Sequence, residues 1–313
     1  MEKIKLDDRS NIKIANRVSI LTIIVNLVFT ALQIAAGILA NSTAMISSAI
    51  HTLSDLLTTF IVIAGVNAAG QKSDSKHQYG HERFECVASI LLALILGFTG
   101  AWIGWSGISG ITSGDYLNKI PGLTGGSLAL AVAVATIAVK EWMYWYTRAA
   151  AKKTNSGALM ADAWHHRTDA MGTMGAFIGI LGAMLGFPIL DSIASIAICL
   201  FIIKAAYDVF MDAINKMVDK SCDEETHKEL KELAVAIIGV IAVDDIRTRL
   251  FGSRMFVDIE IAADKDLTLT QAHKIAENVH DAIENRFPLV KHCMVHVNPY
   301  IEDAKRSVAE RGA

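Results

Sequence analysis

Charge is scarce in this sequence. Only 19% of its 313 residues are Asp, Glu, Lys or Arg, while 52% are hydrophobic, and that balance argues against a purely soluble domain. The formal net charge of −3 is spread along the chain and forms no basic stripe, which excludes nucleic acid as a partner. The four cysteines, Cys86, Cys199, Cys222 and Cys293, have no paired spacing, and the last two fall where a reducing cytosol is expected. No disulfide framework follows, and no chemistry is assigned to them. There is no H-E-x-x-H pair and no nucleophile constellation, so a membrane metalloenzyme finds no support and no enzyme is expected. The opening segment is polar and of mixed charge (Glu2, Lys3, Lys5, Asp7, Asp8, Arg9). It lacks the short apolar core and cleavage site of a signal peptide, so the first apolar run is expected to stay in the protein.

What the sequence has instead is long apolar runs. Stretches near the ~20 residues that cross a bilayer occur at 18–40, 44–69, 86–111, 123–146, 156–187 and 189–209, which predicts six membrane spans. Lys3, Lys5, Arg9, Lys13 and Arg17 precede the first, Lys72, Lys76 and Arg83 follow the second, and Arg148, Lys152 and Lys153 follow the fourth; the opposite connections carry only Lys119. Basic residues favour the cytoplasmic side, so both termini are expected there. Trp102 and Trp105 then mark the outer interface, and Trp142, Tyr144, Trp145 and Tyr146 the inner one. Lys140 and Glu141 are expected to snorkel to that inner interface.

Hydropathy falls after Val209. The expected organisation is a cytosolic segment at 1–17, a six-helix domain at 18–211, a soluble domain at 212–300 and a flexible tail at 301–313. Ser221 with Glu224 reads as a capping box that opens a helix ending at Gly239. Strands are predicted at 243–250 and 255–262, where Met255, Val257, Ile259 and Ile261 alternate with Phe256, Asp258 and Glu260. Thr268 and Gln271 cap a second helix that stops before Pro288, and 291–297 alternates as a third strand. The order αββαβ suits a two-layer, ferredoxin-like α+β domain with its helices on one sheet face.

Ionisable residues inside a bilayer cost at least ~2.5–3.5 kcal/mol each, so they usually mark function. Here they form two matching H-x-x-x-D pairs, His51 with Asp55 in the second span and His165 with Asp169 in the fifth. The i, i+4 spacing puts each pair on one helix face. At ~1.5 Å per residue His51 lies roughly 10 Å from the outer face and His165 roughly 14 Å from the inner one, so the four can meet near the midplane of a core ~30 Å thick. Two imidazoles and two carboxylates make a tetrahedral site whose negative charge offsets that of a divalent ion. That set favours zinc or cobalt, argues against copper(I) for want of thiolate, and leaves cadmium, iron(II) and manganese open. Either pair alone reads equally well as a local hydrogen bond at a polar helix interface. Asp162 shares the face of Asp169 about 10 Å away along the axis, and reads either as a carboxylate that attracts cations into a cytosolic vestibule or as an interfacial polar residue. His166 and Arg167 read as supporting or headgroup-facing residues.

Weaker candidates lie outside the spans. The loop S-D-S-K-H-Q-Y-G-H-E-R holds Asp74, His77 and His81 as possible ligands, although polar residues in a loop are ordinary. In the soluble domain Asp258 and Glu260 share one strand face and His292 and His296 another, while His273 opens a helix.

With these residues in view, the chain resembles the cation diffusion facilitator family over nearly its whole length. The likeness rests on S-S-A-I-H-T-L-S-D, S-D-S-K-H-Q-Y-G-H-E-R, A-D-A-W-H-H-R-T-D-A and an αββαβ domain containing Q-A-H. The resemblance implies a homodimeric, proton-coupled antiporter in a lipid bilayer that moves zinc, cadmium, iron, manganese or cobalt out of the cytosol. It puts His51, Asp55, His165 and Asp169 at the transport site and Asp74, His77 and His81 at a loop site. It also implies ligands among Asp244, Asp258, Glu260, His273 and His296, where Asn298 replaces a bridging carboxylate and argues for one labile metal rather than two. Arg83 and Asp219 would pair at the dimer hinge. The linker T-R-A-A-A-K-K-T-N lacks the histidine-rich tract of many vesicular members, which points to a prokaryotic cell membrane. A membrane scaffold that senses metal without transporting it is the competing reading.

Overall fold

The computed structural model describes residues 8–39, 43–114, 123–187 and 189–301. Two compact units divide the chain, Asp8–Ile214 and a second that holds Asn215 onward. The first contains six long helices: α1 (Asp8–Leu39), α2 (Thr43–Ala69), α3 (Arg83–Ser113), α4 (Leu123–Thr154), α5 (Gly157–Met184) and α6 (Leu190–Met217), whose last turn passes into the second unit. Among the described residues, Ser10–Ala35, Arg83–Ser113 and Ser192–Met217 are long and apolar enough to cross a membrane. The α4 and α5 helices reach span length but carry Lys140, Glu141, Asp162, Arg167 and Asp169, which lowers their hydropathy.

The interior of this unit reverses the usual pattern. On α1, Ser19, Thr22, Asn26, Thr30 and Gln33 are buried, while Ile20, Ile24, Leu27, Val28 and Leu32 are exposed. The buried set recurs every three or four residues and so forms one helix face turned inward. Its polar groups are joined across helices, with the Thr52 hydroxyl of α2 donating to Gln33 Oε1 at 3.1 Å. Phe98, Trp102 and Trp105 of α3 point outward. Water would penalise so much exposed apolar surface, whereas a lipid solvent favours it and drives polar groups inward.

The connection between α4 and α5 is short and well capped. Asn155 takes a left-handed φ of 53°, which asparagine tolerates better than most residues. The Ser156 N–H then bonds back to Ala151 O at 3.0 Å, and Ser156 Oγ accepts the Leu159 N–H at 3.2 Å. The first bond closes α4 as a Schellman-type end and the second opens α5. The two helices therefore run antiparallel and side by side, bringing the middle of α4 against the ionisable stretch of α5.

The second unit holds α7 (Glu224–Val235), β1 (Ala242–Phe251), β2 (Arg254–Asp264), α8 (Leu269–Arg286) and β3 (Val290–Tyr300). The sheet order is β1-β2-β3; β1 and β2 are antiparallel and β2 and β3 are parallel. Gly252, at φ 61°, makes the left-handed bend of the hairpin that a side chain would resist. Met255, Val257, Ile259 and Ile261 pack with Leu230, Ala234, Val279 and Ile283 in one apolar core, so both helices cover the same sheet face. The expected αββαβ order is the one observed. The Thr268–Gln271 capping box is present. The first cap differs from expectation: Asp223, not Ser221, caps α7, accepting the Thr226 N–H at 2.9 Å. Asp223 stands one residue before the helix and Ser221 three, so only the former reaches the free N–H groups of the first turn. The helix also ends at Val235, before Gly239.

Candidate metal centre

Asp55, on α2, and His165 and Asp169, one turn apart on α5, converge inside the first unit. All three are buried, and each offers a ligand atom within 4.8 Å of the others. His165 Nε2 lies 3.5 Å from Asp55 Oδ1 and 3.8 Å from Asp169 Oδ2, and it makes no hydrogen bond. A buried nitrogen without a hydrogen bond, flanked by two carboxylates, is an arrangement that a bound cation would satisfy. The carbonyls of Asp55 and Asp169 accept the hydroxyls of Thr58 and Thr173 at 2.7 and 2.8 Å. His51 belongs to α2, but its side chain lies outside the described residues.

A fourth group enters the cluster that the sequence did not suggest. Lys140 of α4 is only 2% exposed. Its Nζ donates to Asp55 Oδ2 at 2.5 Å and to Asp169 Oδ2 at 2.9 Å. It does not snorkel to an interface, because two carboxylates at contact distance offset its desolvation where it stands. Glu141 instead faces Arg167 at 3.7 Å, and the Arg167 guanidinium sits 4.5 Å above the Tyr144 ring.

Asp162 and His166 are fully buried. Asp162 Oδ2 lies 3.6 Å from His166 Nε2, and neither Asp162 oxygen nor either His166 nitrogen makes a hydrogen bond. Asp162 therefore does not line an open vestibule. Like His165, it sits on the inward face of α5.

The loop before α3 forms a second cluster, with ligand atoms of Asp74, His77 and His81 within 4.8 Å of one another. Asp74 Oδ1 accepts the backbone N–H of Lys76 at 2.8 Å and of His77 at 2.6 Å. The His77 N–H contributes most to holding the exposed Asp74 carboxyl below its ordinary pKa. The left-handed Gly80, at φ 106°, bends the chain so that the His77 and His81 rings lie 4.4 Å apart. His81 is buried against Phe84, whereas His77 stays open.

The five C-terminal candidates are not gathered into one ligand set. Asp244 is bulged out of the β1–β2 register, and the Asn298 amide donates to Asp244 Oδ2 at 3.2 Å and to Glu260 Oε2 at 3.4 Å. Glu260 and His296 are register partners, and Asp258 pairs with Met294. His273 lies 3.6 Å from Glu277 on the surface of α8. Among the described residues, no third metal-sized group of His, Cys, Asp and Glu accompanies the two above. Burial pushes the Cys293 thiol up to about 12, so it offers no thiolate. Arg83 opens α3 and Asp219, at φ 62°, follows α6; they fall in separate units.

Residues 19–218 match the family model described as the cation efflux transmembrane domain, and residues 222–300 that of the cation efflux protein cytoplasmic domain. The chain belongs to the cation diffusion facilitator family. An uncharacterized transporter of Methanocaldococcus jannaschii is 32% identical over 89% of this chain and 96% of its own. The manganese efflux system protein MneP of Bacillus subtilis is 28% identical over 93% and 98%. Metal tolerance protein C1 of Arabidopsis thaliana is 30% identical over 84% of this chain, which spans only 58% of that relative. Among solved structures, MamM-CTD 215-293 covers 25% of the chain at 27% identity, with a TM-score of 0.24. This facilitator is thus a membrane protein from a family of divalent metal cation efflux transporters.

Proposed function

We propose that this facilitator exports a divalent metal ion, zinc first, from the cytosol in exchange for protons. It works as a homodimer, each protomer crossing the membrane six times with both termini cytosolic. The observation that carries the reading is the buried Asp55, His165 and Asp169 cluster inside an apolar helical unit. The two carboxylates give the cargo ion charge balance, the imidazole gives it a nitrogen ligand, and His51, a turn before Asp55, supplies the second nitrogen. Imidazoles titrate near neutral pH, so protons compete with metal for the same atoms as access alternates between the two sides.

Asp74, His77 and His81 form a weaker site in the loop, supported by their convergence. In the C-terminal domain, of the candidates Asp244, Asp258, Glu260, His273 and His296, the pair Glu260 and His296 is the one whose strand register supports a labile site. Arg83 and Asp219 pair at the dimer hinge, each standing beside the end of a long helix. A prokaryotic cell membrane fits the archaeal and bacterial relatives matched over nearly their full length.

Manganese is the second reading of the cargo. It is favoured by the name of the Bacillus subtilis relative and by two oxygen donors among the three described ligands, since carboxylates suit that ion. Flux into proteoliposomes, measured for zinc, manganese, cobalt and cadmium with and without a pH gradient, tests both readings. Zinc flux that rises with an opposing proton gradient is expected. Preferential manganese flux would reassign the cargo, and no flux of any metal would favour the sensing scaffold.

A further inference from the structure

The cation position of the central cluster is filled by the protein itself. Lys140 Nζ contacts Asp55 Oδ2 and Asp169 Oδ2, oxygens of the two carboxylates that a metal held by Asp55, His165 and Asp169 would use. A zinc bonded to those oxygens at ~2.0–2.2 Å would stand no further than about 5 Å from the ammonium, and in a dry interior two such cations repel strongly. We propose that Lys140 is a tethered competitor for the transported metal: ammonium and metal occupy the carboxylates in turn, and the return of the ammonium helps to expel the ion. The inference rests on the assignment of this cluster as the transport site and adds what determines its affinity.

Three features of the cluster support it. Lys140 is almost fully buried, so its ammonium has no water shell to retreat into while it stays between the helices. It bridges two helices, binding Asp55 of α2 and Asp169 of α5, so the metal-free cluster is already neutralised in part and held together. His165 Nε2 makes no hydrogen bond although both carboxylates are near, which leaves this nitrogen ligand uncommitted while the ammonium holds carboxylate oxygens. A tethered ion competes without having to diffuse. It weakens equilibrium binding but speeds release, and a transporter that must discharge its cargo gains from that exchange.

The test is equilibrium zinc binding to the full-length protein in detergent, with the central site isolated by subtracting the isotherm of the same protein carrying Asp55→Asn. Lys140→Met and Lys140→Gln remove the charge and Lys140→Arg keeps it. The two neutral variants should bind zinc at the Asp55-dependent site about tenfold more tightly or better, with lower KM and lower kcat for flux, while Lys140→Arg stays near the original affinity or weaker. Because the neutral variants remove the ammonium that bridges two buried carboxylates, their metal-free forms should melt lower, and zinc should raise their Tm by more than it raises that of the unaltered protein. Equal or weaker binding in both neutral variants, with Asp55-dependent binding intact, would overturn the competitor role and leave the transport site standing. The absence of Asp55-dependent zinc binding in every protein would overturn the site assignment and the competitor role with it.

Discussion

The two units of this chain bury opposite things. The helical unit turns Ser19, Asn26, Gln33, Asp55, Lys140 and Asp169 inward and presents Phe98, Trp102 and Phe201 outward, whereas the C-terminal domain buries Val257, Ile259, Ile261 and Ile283 and presents Lys274, Glu277 and Asp258. Each follows one rule, that side chains partition by the solvent they meet, applied to lipid in one case and water in the other. The chemistry divides the same way. In the lipid-facing unit Asp55, His165, Asp169 and Lys140 condense into one buried cluster, while Asp162 and His166 face each other 3.6 Å apart elsewhere on α5. In the water-facing domain acids and histidines stay scattered, because water solvates each where it stands.

The same substitution should therefore have unequal effects in the two units, which gives the largest expected contrast. Phe98, 73% exposed in the middle of α3, and Leu269, 87% exposed at the start of α8, are both surface apolar residues. Phe98→Asp should cost about 3 kcal/mol of membrane insertion, read as lost membrane-inserted protein. Leu269→Asp should change domain stability by less than about 0.5 kcal/mol, since an acidic residue also suits a helix N-terminus. Equal effects would mean that α3 does not face lipid.

Core truncation comes next. Ile259 is 1% exposed among Val257, Ile261 and Val279, and Ile259→Ala should lower the unfolding free energy of the C-terminal domain by about 2–5 kcal/mol in urea. A loss below 1 kcal/mol, by contrast, would mean this small sheet does not rest on the core described. Smaller again is Thr268→Ala, which removes the side-chain half of the capping box of α8 and should cost about 1 kcal/mol in the same titration.

Much of the fold was legible because its signals are periodic. Runs of twenty apolar residues, alternation from Met255 to Ile261 and the Thr268–Gln271 pair each report a local geometry that the chain then adopts. The cap of α7 was read two residues early, since Ser221 and Asp223 are both good caps and only the helix start decides between them. In the site, the i, i+4 spacing of His165 and Asp169 gives them a shared helix face, and Asp55 of α2 lies within 4.8 Å of them. Lys140 was missed because a lone lysine in an apolar run carries no spacing partner. Its partners lie on two other helices, 85 and 29 residues away, and only packing discloses them. Asn298 was suspected of spoiling a C-terminal metal cluster. Its amide does occupy Asp244 and Glu260, an outcome of sheet register at a bulge that residue types alone do not specify.

The central claim is that Asp55, His165 and Asp169 form the cation site through which metal passes. The most direct measurement is zinc flux into proteoliposomes by the unaltered protein and by Asp169→Asn, an exchange that keeps side-chain shape but removes one carboxylate charge. With equal insertion and monodispersity confirmed for both, flux should fall at least about a hundredfold, as befits the loss of a charged ligand in a low-dielectric site. Flux within twofold of the unaltered protein would contradict the assignment and place the metal path elsewhere in the helical unit.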